Sequence, residues 1–138
     1  MNINKVVVIG SGTMGSGIAA HLCNANIPVV LLDLKTEIAE KAKERILKSR
    51  PPLLFEQSKI NSLTTGNISD DFDNVSNADW IIEAVVERID IKHKIYDQIF
   101  SRRKKDSIVS SNTSTIPLKV LSQKLTTSDK KDFCITHF

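Results

Sequence analysis

The sequence predicts an α/β fold, a doubly wound parallel sheet in three αβα layers, and three observations carry that prediction. Short apolar runs alternate with longer segments of helical periodicity from one end of the chain to the other. The runs are apolar on both faces, as strands covered by helices on either side must be. The first run passes directly into a glycine triplet that opens a helix, the arrangement of a nucleotide-binding βαβ unit.

Each element can be justified in order. Val6 to Ile9 is the first strand, and Met14 to Ala25 the first helix. Pro28 to Leu32 is a second apolar strand that ends at Asp33. Thr36 is placed to cap a helix from Glu37 to Ser49, in which Ile38, Ala39, Ala42, Ile46 and Leu47 form an apolar stripe. Arg50-Pro51-Pro52 stops it. A polar stretch then leads to a short strand near Ser62 to Thr65, Gly66 and the acidic loop Asp70 to Asp73. Trp80 to Val86 is the fourth strand. Asp90 to Phe100 is a helix with Ile91, Ile95 and Ile99 at helical spacing. Ser107 to Ser110 is the fifth strand, Pro117 to Leu125 a helix whose proline takes the first turn, and Phe133 to Thr136 the sixth strand. No repeat, low-complexity tract or linker interrupts the series.

The triplet Gly10-x-Gly12-x-x-Gly15 follows the first strand and precedes the first helix. In that context Gly10 allows the tight turn, Gly12 lets the backbone approach a pyrophosphate, and Gly15 packs helix on strand. Ser11, Thr13 and Met14 complete the loop, and the helix N-terminus turns its amides and partial positive charge toward the phosphates. Asp33, about 20 residues further on, is placed to accept both hydroxyls of the adenine ribose and to repel a 2'-phosphate, which predicts NAD over NADP. Lys35 stands close enough to soften that repulsion. Strand, glycine turn, helix, strand and acid in this order define a Rossmann-type sheet, with strand order 3-2-1-4-5-6 and ligand at the carboxyl ends of the strands.

Composition narrows the function classes. The chain has 138 residues, enough for one domain, and its 19 basic and 16 acidic side chains are nearly balanced. Nothing in that balance calls for a nucleic acid or membrane partner. No apolar stretch approaches a membrane span, and the first strand starts too near Met1 to leave room for a signal peptide, so a cytoplasmic location is expected. Cys23 and Cys134 lack C-x-x-C spacing and are expected as buried, reduced thiols, with no metal.

Polar residues collect where the later strands end. The fourth delivers Glu83 to Glu87, the fifth S-S-N-T-S-T at Ser110 to Thr115, and the sixth His137. Taken with G-S-G-T-M-G-S-G-I-A, W-I-I-E-A-V-V-E-R and the terminal T-H-F, these motifs identify a resemblance to the nicotinamide-binding domain of L-3-hydroxyacyl-CoA dehydrogenases. The resemblance covers essentially the whole chain. R-P-P-L-L at Arg50 to Leu54 and G-N-I-S-D-D at Gly66 to Asp71 look most like the long bacterial multifunctional forms of fatty-acid oxidation.

The resemblance implies an NAD-dependent oxidation of (S)-3-hydroxyacyl-CoA to 3-ketoacyl-CoA. It assigns the cofactor to Gly10, Ser11, Gly12, Thr13, Met14, Gly15 and Asp33, with further contacts from Glu87 and Lys92; a solvated i, i+5 pair is the alternative for those two. Ser114 would hydrogen-bond the 3-hydroxyl beside the nicotinamide, with Asn112 in the same loop, although S-S-N-T-S-T alone also reads as a polar turn. His137 would be the base, a role suited to imidazole near neutral pH. His21 and His93 read as structural or solvent-facing. Ser49 would face coenzyme A, helped by Lys41, Lys43, Arg45, Lys48 and Arg50 or, equally, leaving those cations as a solvated helix face. The run Arg102 to Lys105 reads as solvent-facing.

The family continues past this histidine with an Asn, a Glu that orients the base, and a helical dimerisation domain. The resemblance therefore implies a Rossmann domain over residues 1–138 that binds NAD but catalyses poorly alone, with the missing C-terminal portion or a second copy as a partner. Two alternatives stand beside it: a non-catalytic dinucleotide-binding module, and a fragment of a β-hydroxyacid dehydrogenase for another substrate class.

Overall fold

The computed structural model describes residues 2–138. Its centre is β1 (Val6–Ile9), four aliphatic residues at most 1% exposed, because both faces and both edges of this strand are covered. Burial on that scale contributes about 1.5–3 kcal/mol per side chain. β2 (Val29–Asp33) and β3 (Leu63–Asn67) extend the sheet on one side. β4 (Trp80–Glu83), β5 (Ile108–Ser111) and β6 (Phe133–Ile135) extend it on the other. All pairs are parallel and the order is 3-2-1-4-5-6, as the sequence predicts.

The two directions of winding put helices on opposite faces. Val6, Val8, Val29 and Leu31 pack against Ile18 and Ala19 of α1 (Thr13–Asn24) and Ala42 and Ile46 of α2 (Thr36–Lys48). Val7, Ile9, Ile81 and Val109 pack against Ile95, Tyr96 and Ile99 of α3 (Ile89–Arg102). Where the winding reverses, between β1 and β4, no crossover covers the carboxyl edge and a crevice opens. Asp79 fixes the other edge there: its carboxylate accepts the backbone N–H groups of Asn4 and Lys5 at 2.7 and 3.1 Å.

Several boundaries differ from the sequence reading. Lys35, not Thr36, is the N-cap of α2, and its side chain makes no capping bond; the Thr36 hydroxyl instead accepts from Asn67 Nδ2 at 2.9 Å. The polar stretch after α2 contains a 3-10 turn at Gln57–Ser62, and a second follows at Phe72–Asn77, whose Phe72 and Val75 are buried. β4 stops at Glu83 because the Glu83 carboxylate captures the N–H of Val85 at 2.8 Å and turns the chain. The helix expected over residues 117–125 is only α4 (Leu118–Leu121), with Pro117 outside it as N-cap. A separate α5 (Thr127–Lys130) begins where the Thr126 hydroxyl accepts the Asp129 N–H at 3.1 Å.

The basic run at 102–105 is not uniformly solvent-facing. Arg103 has a side chain only 9% exposed, donates to Asp132 and Asp129 at 2.7 and 3.4 Å and to the Ser107 carbonyl at 2.8 Å, and lies over the Phe100 ring. Lys104 pairs with Asp79. Cys23 is buried and Cys134 half-buried; both are free thiols, and burial pushes both up from the usual thiol range.

Candidate active site

The crevice holds a cavity of about 530 Å³ bordered by Gly10, Gly12, Asp33, Arg45 and Val85. Gly10 sits at φ +103°, and a Cβ there would come 2.4 Å from the Ala84 carbonyl oxygen. A Cβ at Gly15 would lie 1.8 Å from the Gly10 carbonyl oxygen, so the fold itself requires both glycines. Gly12 is different: a Cβ there would meet nothing within 4 Å. The protein leaves that space open at the N-terminus of α1, which has no side-chain cap and no acid in its first turn. Unsatisfied helix amides beside an open backbone fit a pyrophosphate. Thr13 and Met14 are exposed on the same first turn.

Asp33, at the end of β2, reaches across to the glycine loop. One carboxylate oxygen accepts both the N–H and the hydroxyl of Ser11, at 2.7 and 2.5 Å, while the other accepts the Leu34 N–H at 2.7 Å. The oxygen that accepts only the Leu34 N–H keeps accepting capacity for a ribose hydroxyl. Arg45 was grouped by sequence with cations for coenzyme A, yet its guanidinium lines this cavity and donates to the Ser11 carbonyl at 2.9 Å. Ile38, seven residues earlier on the same helix face, lines it too, and that spacing was the available signal.

A second constellation joins the ends of β4 and β5 to α3. Glu83, fully buried, accepts from Lys92 Nζ and the Val85 N–H on one oxygen, at 2.7 and 2.8 Å, and from the Tyr96 and Ser111 hydroxyls on the other, at 2.7 and 2.6 Å. Burial, reinforced by the charge of Glu83, pushes the Tyr96 phenol upward, so it remains a donor. Lys92 also pairs with Glu87 at 3.0 Å. The pair expected from sequence therefore exists, but it is not solvated on the lysine side, since Lys92 is 1% exposed. Burial alone would raise the Glu87 carboxyl, yet hydrogen bonds from Thr113, Lys92 and Thr115 and the lysine charge hold it at about 2. Glu83 stands out in the sequence only as an acid that ends an apolar strand inside a sheet; its buried role follows from the partners that α3 and β5 bring to it.

The remaining predicted residues divide into two groups. Ser114 is exposed at the tip of the loop after β5, and the half-buried Asn112 accepts the Phe138 N–H at 3.4 Å. Thr136 N–H bonds the Ser111 carbonyl at 3.0 Å, so the strand leading to exposed His137 is tied to the same loop. Ser114, Asn112 and His137 thus gather at the carboxyl ends of β5 and β6. Ser49 does not join them: it follows α2, and its hydroxyl donates to the Pro51 carbonyl at 2.9 Å. His93 is structural, buried with Nε2 3.0 Å from the Val120 carbonyl oxygen, whereas His21 is exposed on α1 beside the Phe138 ring.

Fold and cavity together define a dinucleotide-binding domain of the Rossmann class. The chain belongs to a particular family within it: residues 5–138 match the model of 3-hydroxyacyl-CoA dehydrogenase, NAD binding domain. A protein of Rickettsia felis with the provisional name of a fatty acid oxidation complex trifunctional enzyme is 45% identical over 143 residues, covering 99% of this chain and 20% of that protein. Among solved structures, 3-hydroxybutyryl-CoA dehydrogenase from Escherichia coli superposes with a TM-score of 0.86 at 27% identity, covering all of this chain and 30% of that one. FadB2 of M. tuberculosis gives the same score and identity, with 50% of its chain covered. Relative to the curated Rickettsia and Deinococcus relatives it matches, the chain spans 20% and 42% of their length. NAD is the cofactor of this family.

Proposed function

We propose that this domain binds NAD(H) in preference to NADP(H) and serves the interconversion of (S)-3-hydroxyacyl-CoA and 3-ketoacyl-CoA in fatty-acid oxidation. The observation that carries this reading is the Asp33 carboxylate, held by Ser11 at the border of an open glycine-lined cavity, where a ribose 2'-phosphate would meet a fixed negative charge. NAD would supply the hydride acceptor. Gly10, Gly12 and the first turn of α1 hold its pyrophosphate, with Ser11, Thr13, Met14 and Gly15 shaping that turn. Glu87 and the loop bearing Asn112 and Ser114 frame the nicotinamide end. Ser114 orients the substrate hydroxyl, and His137 accepts its proton.

Ser49 is proposed at the coenzyme A end on resemblance alone. The His137 ring is exposed beyond the last strand, which supports a further reading: the isolated chain binds cofactor but turns substrate over slowly. The family's following helical portion, or a second copy seated on exposed Phe138 and Ile135, is the proposed partner. No helix among the described residues is long and apolar enough to cross a membrane, in keeping with a proposed cytoplasmic location.

The test is a fluorescence titration of the purified chain with NADH and, in parallel, NADPH. Saturable NADH binding at least about tenfold tighter than NADPH is expected. Equal affinities would refute the assignment of Asp33. Turnover of acetoacetyl-CoA by the isolated chain at the rate of a full-length dehydrogenase would refute its expected weakness as a catalyst.

A further inference from the structure

We propose that Arg45 is a specificity-determining residue at the adenosine ribose, a cation that seats a ribose 2'-phosphate against the repulsion of Asp33, so that the preference for NAD(H) hangs on the Asp33 charge alone. This holds on the reading of the crevice as the dinucleotide site.

Helix geometry brings Arg45 to that position. Side chains on a helix lean toward its N-terminus, and residues seven apart share a face. α2 begins at Thr36, just after Asp33, and runs back along the sheet. Arg45, in its last turn, therefore reaches toward the carboxyl edge, where it lines the cavity together with Ile38, Leu34 and Asp33. One amine, Nη2, donates to the Ser11 carbonyl at 2.9 Å. Ser11 in turn gives its N–H and hydroxyl to the Asp33 carboxylate at 2.7 and 2.5 Å. A single residue of the glycine loop thus holds the cation on one side and the anion on the other.

Most of the guanidinium remains unclaimed. Among the described residues Arg45 has no ion-pair partner and no second hydrogen bond, although a guanidinium carries several N–H donors in a fixed fork. Such a fork matches two phosphate oxygens at once. An arginine near the ribose is also how a dinucleotide fold accommodates a 2'-phosphate.

Two lysines fit the position less well. Lys35 lies nearest to Asp33 in sequence, but it is exposed at the N-cap of α2 and does not border the cavity. Lys94 borders it from α3, beside Ile91 and Ile95, and makes no hydrogen bond to Ser11 or Asp33. Arg45 is the cation tied to the partner of Asp33 itself.

The test is a set of parallel titrations with NADH and NADPH. Arg45→Met, Arg45→Lys and Lys94→Met are each made in the wild-type chain and in Asp33→Ser, with Asp33→Asn as a second background in case serine loosens the glycine loop. Thermal melting checks that each protein is folded. In the wild-type chain, Arg45→Met should widen the preference for NADH by about threefold or more. Asp33→Ser should bind NADPH at least as tightly as NADH, and adding Arg45→Met should weaken NADPH about tenfold more than NADH. Arg45→Lys should retain part of the NADPH affinity, and the part that depends on Arg45 should fade as salt rises.

NADPH affinity that Arg45→Met leaves unchanged in both Asp33→Ser and Asp33→Asn overturns the proposal. An equal loss for both nucleotides overturns it too, since that marks a contact with the pyrophosphate they share, as does a loss that follows Lys94→Met instead. A wild-type chain that binds neither nucleotide overturns the cofactor reading and this assignment with it, whereas NADH binding with NADPH indifferent to Arg45 overturns this assignment only.

Discussion

Both donors of Ser11, its backbone N–H and its hydroxyl, converge on one oxygen of Asp33, at 2.7 and 2.5 Å. The carboxylate therefore joins β2 to the glycine loop as well as facing the cavity. Asp33→Asn keeps the shape but removes the charge and one acceptor. NADH affinity should fall by about tenfold, the scale of a hydrogen bond to a charged group, while the preference over NADPH shrinks. Parallel titrations with both nucleotides check this.

Two glycines of the same loop should respond in opposite ways. Gly15→Ala drives a methyl to 1.8 Å from the Gly10 carbonyl, so the helix must back away from the strand. A destabilisation of about 3 kcal/mol or more is expected in urea. Gly12→Ala meets open space, so stability should change by about 1 kcal/mol or less while NADH binding weakens at least tenfold, on the order of a lost phosphate contact. Equal effects of the two variants on folding would contradict the division.

Glu87 predicts a pH dependence. Its carboxyl lies at about 2 in the folded chain against an ordinary 4.5. Because the folded value is depressed, the stabilisation it brings is complete above about pH 4.5 and is lost as pH falls toward 2. Its exposure screens the effect to on the order of 1 kcal/mol. Glu87→Gln should be less stable than wild type at pH 7, and the gap should close between pH 4.5 and 2 in denaturation curves measured side by side.

Arg103 offers a test away from the site. Arg103→Met leaves Asp132 and the Ser107 carbonyl without their cationic donor in a place only 9% exposed on the arginine side. A loss of about 2 kcal/mol is expected, with NADH affinity unchanged. Lys105→Met, on an exposed neighbour, should change stability by about 0.5 kcal/mol or less.

What sequence determined here was the part governed by local order. The apolar runs, the glycine turn and the acid after β2 each depend on residues close together in the chain, and they specify a parallel sheet and its ligand edge without further information. The same locality misled at the edges of elements. Thr36 looked like a cap until Asn67, 31 residues away, took its hydroxyl, and β4 looked longer until the Glu83 side chain turned it. Tertiary structure alone decided which charges face water. Lys92, Arg103 and Arg45 are unremarkable cations on helices, and their different fates follow from partners on other elements: Glu83 at the end of β4, Asp132 before β6 and the Ser11 carbonyl after β1. Helical periodicity places a side chain on a face, but a charge is stable inside only where the fold delivers an opposite charge or acceptor to it, and that delivery is set by packing across the whole sheet.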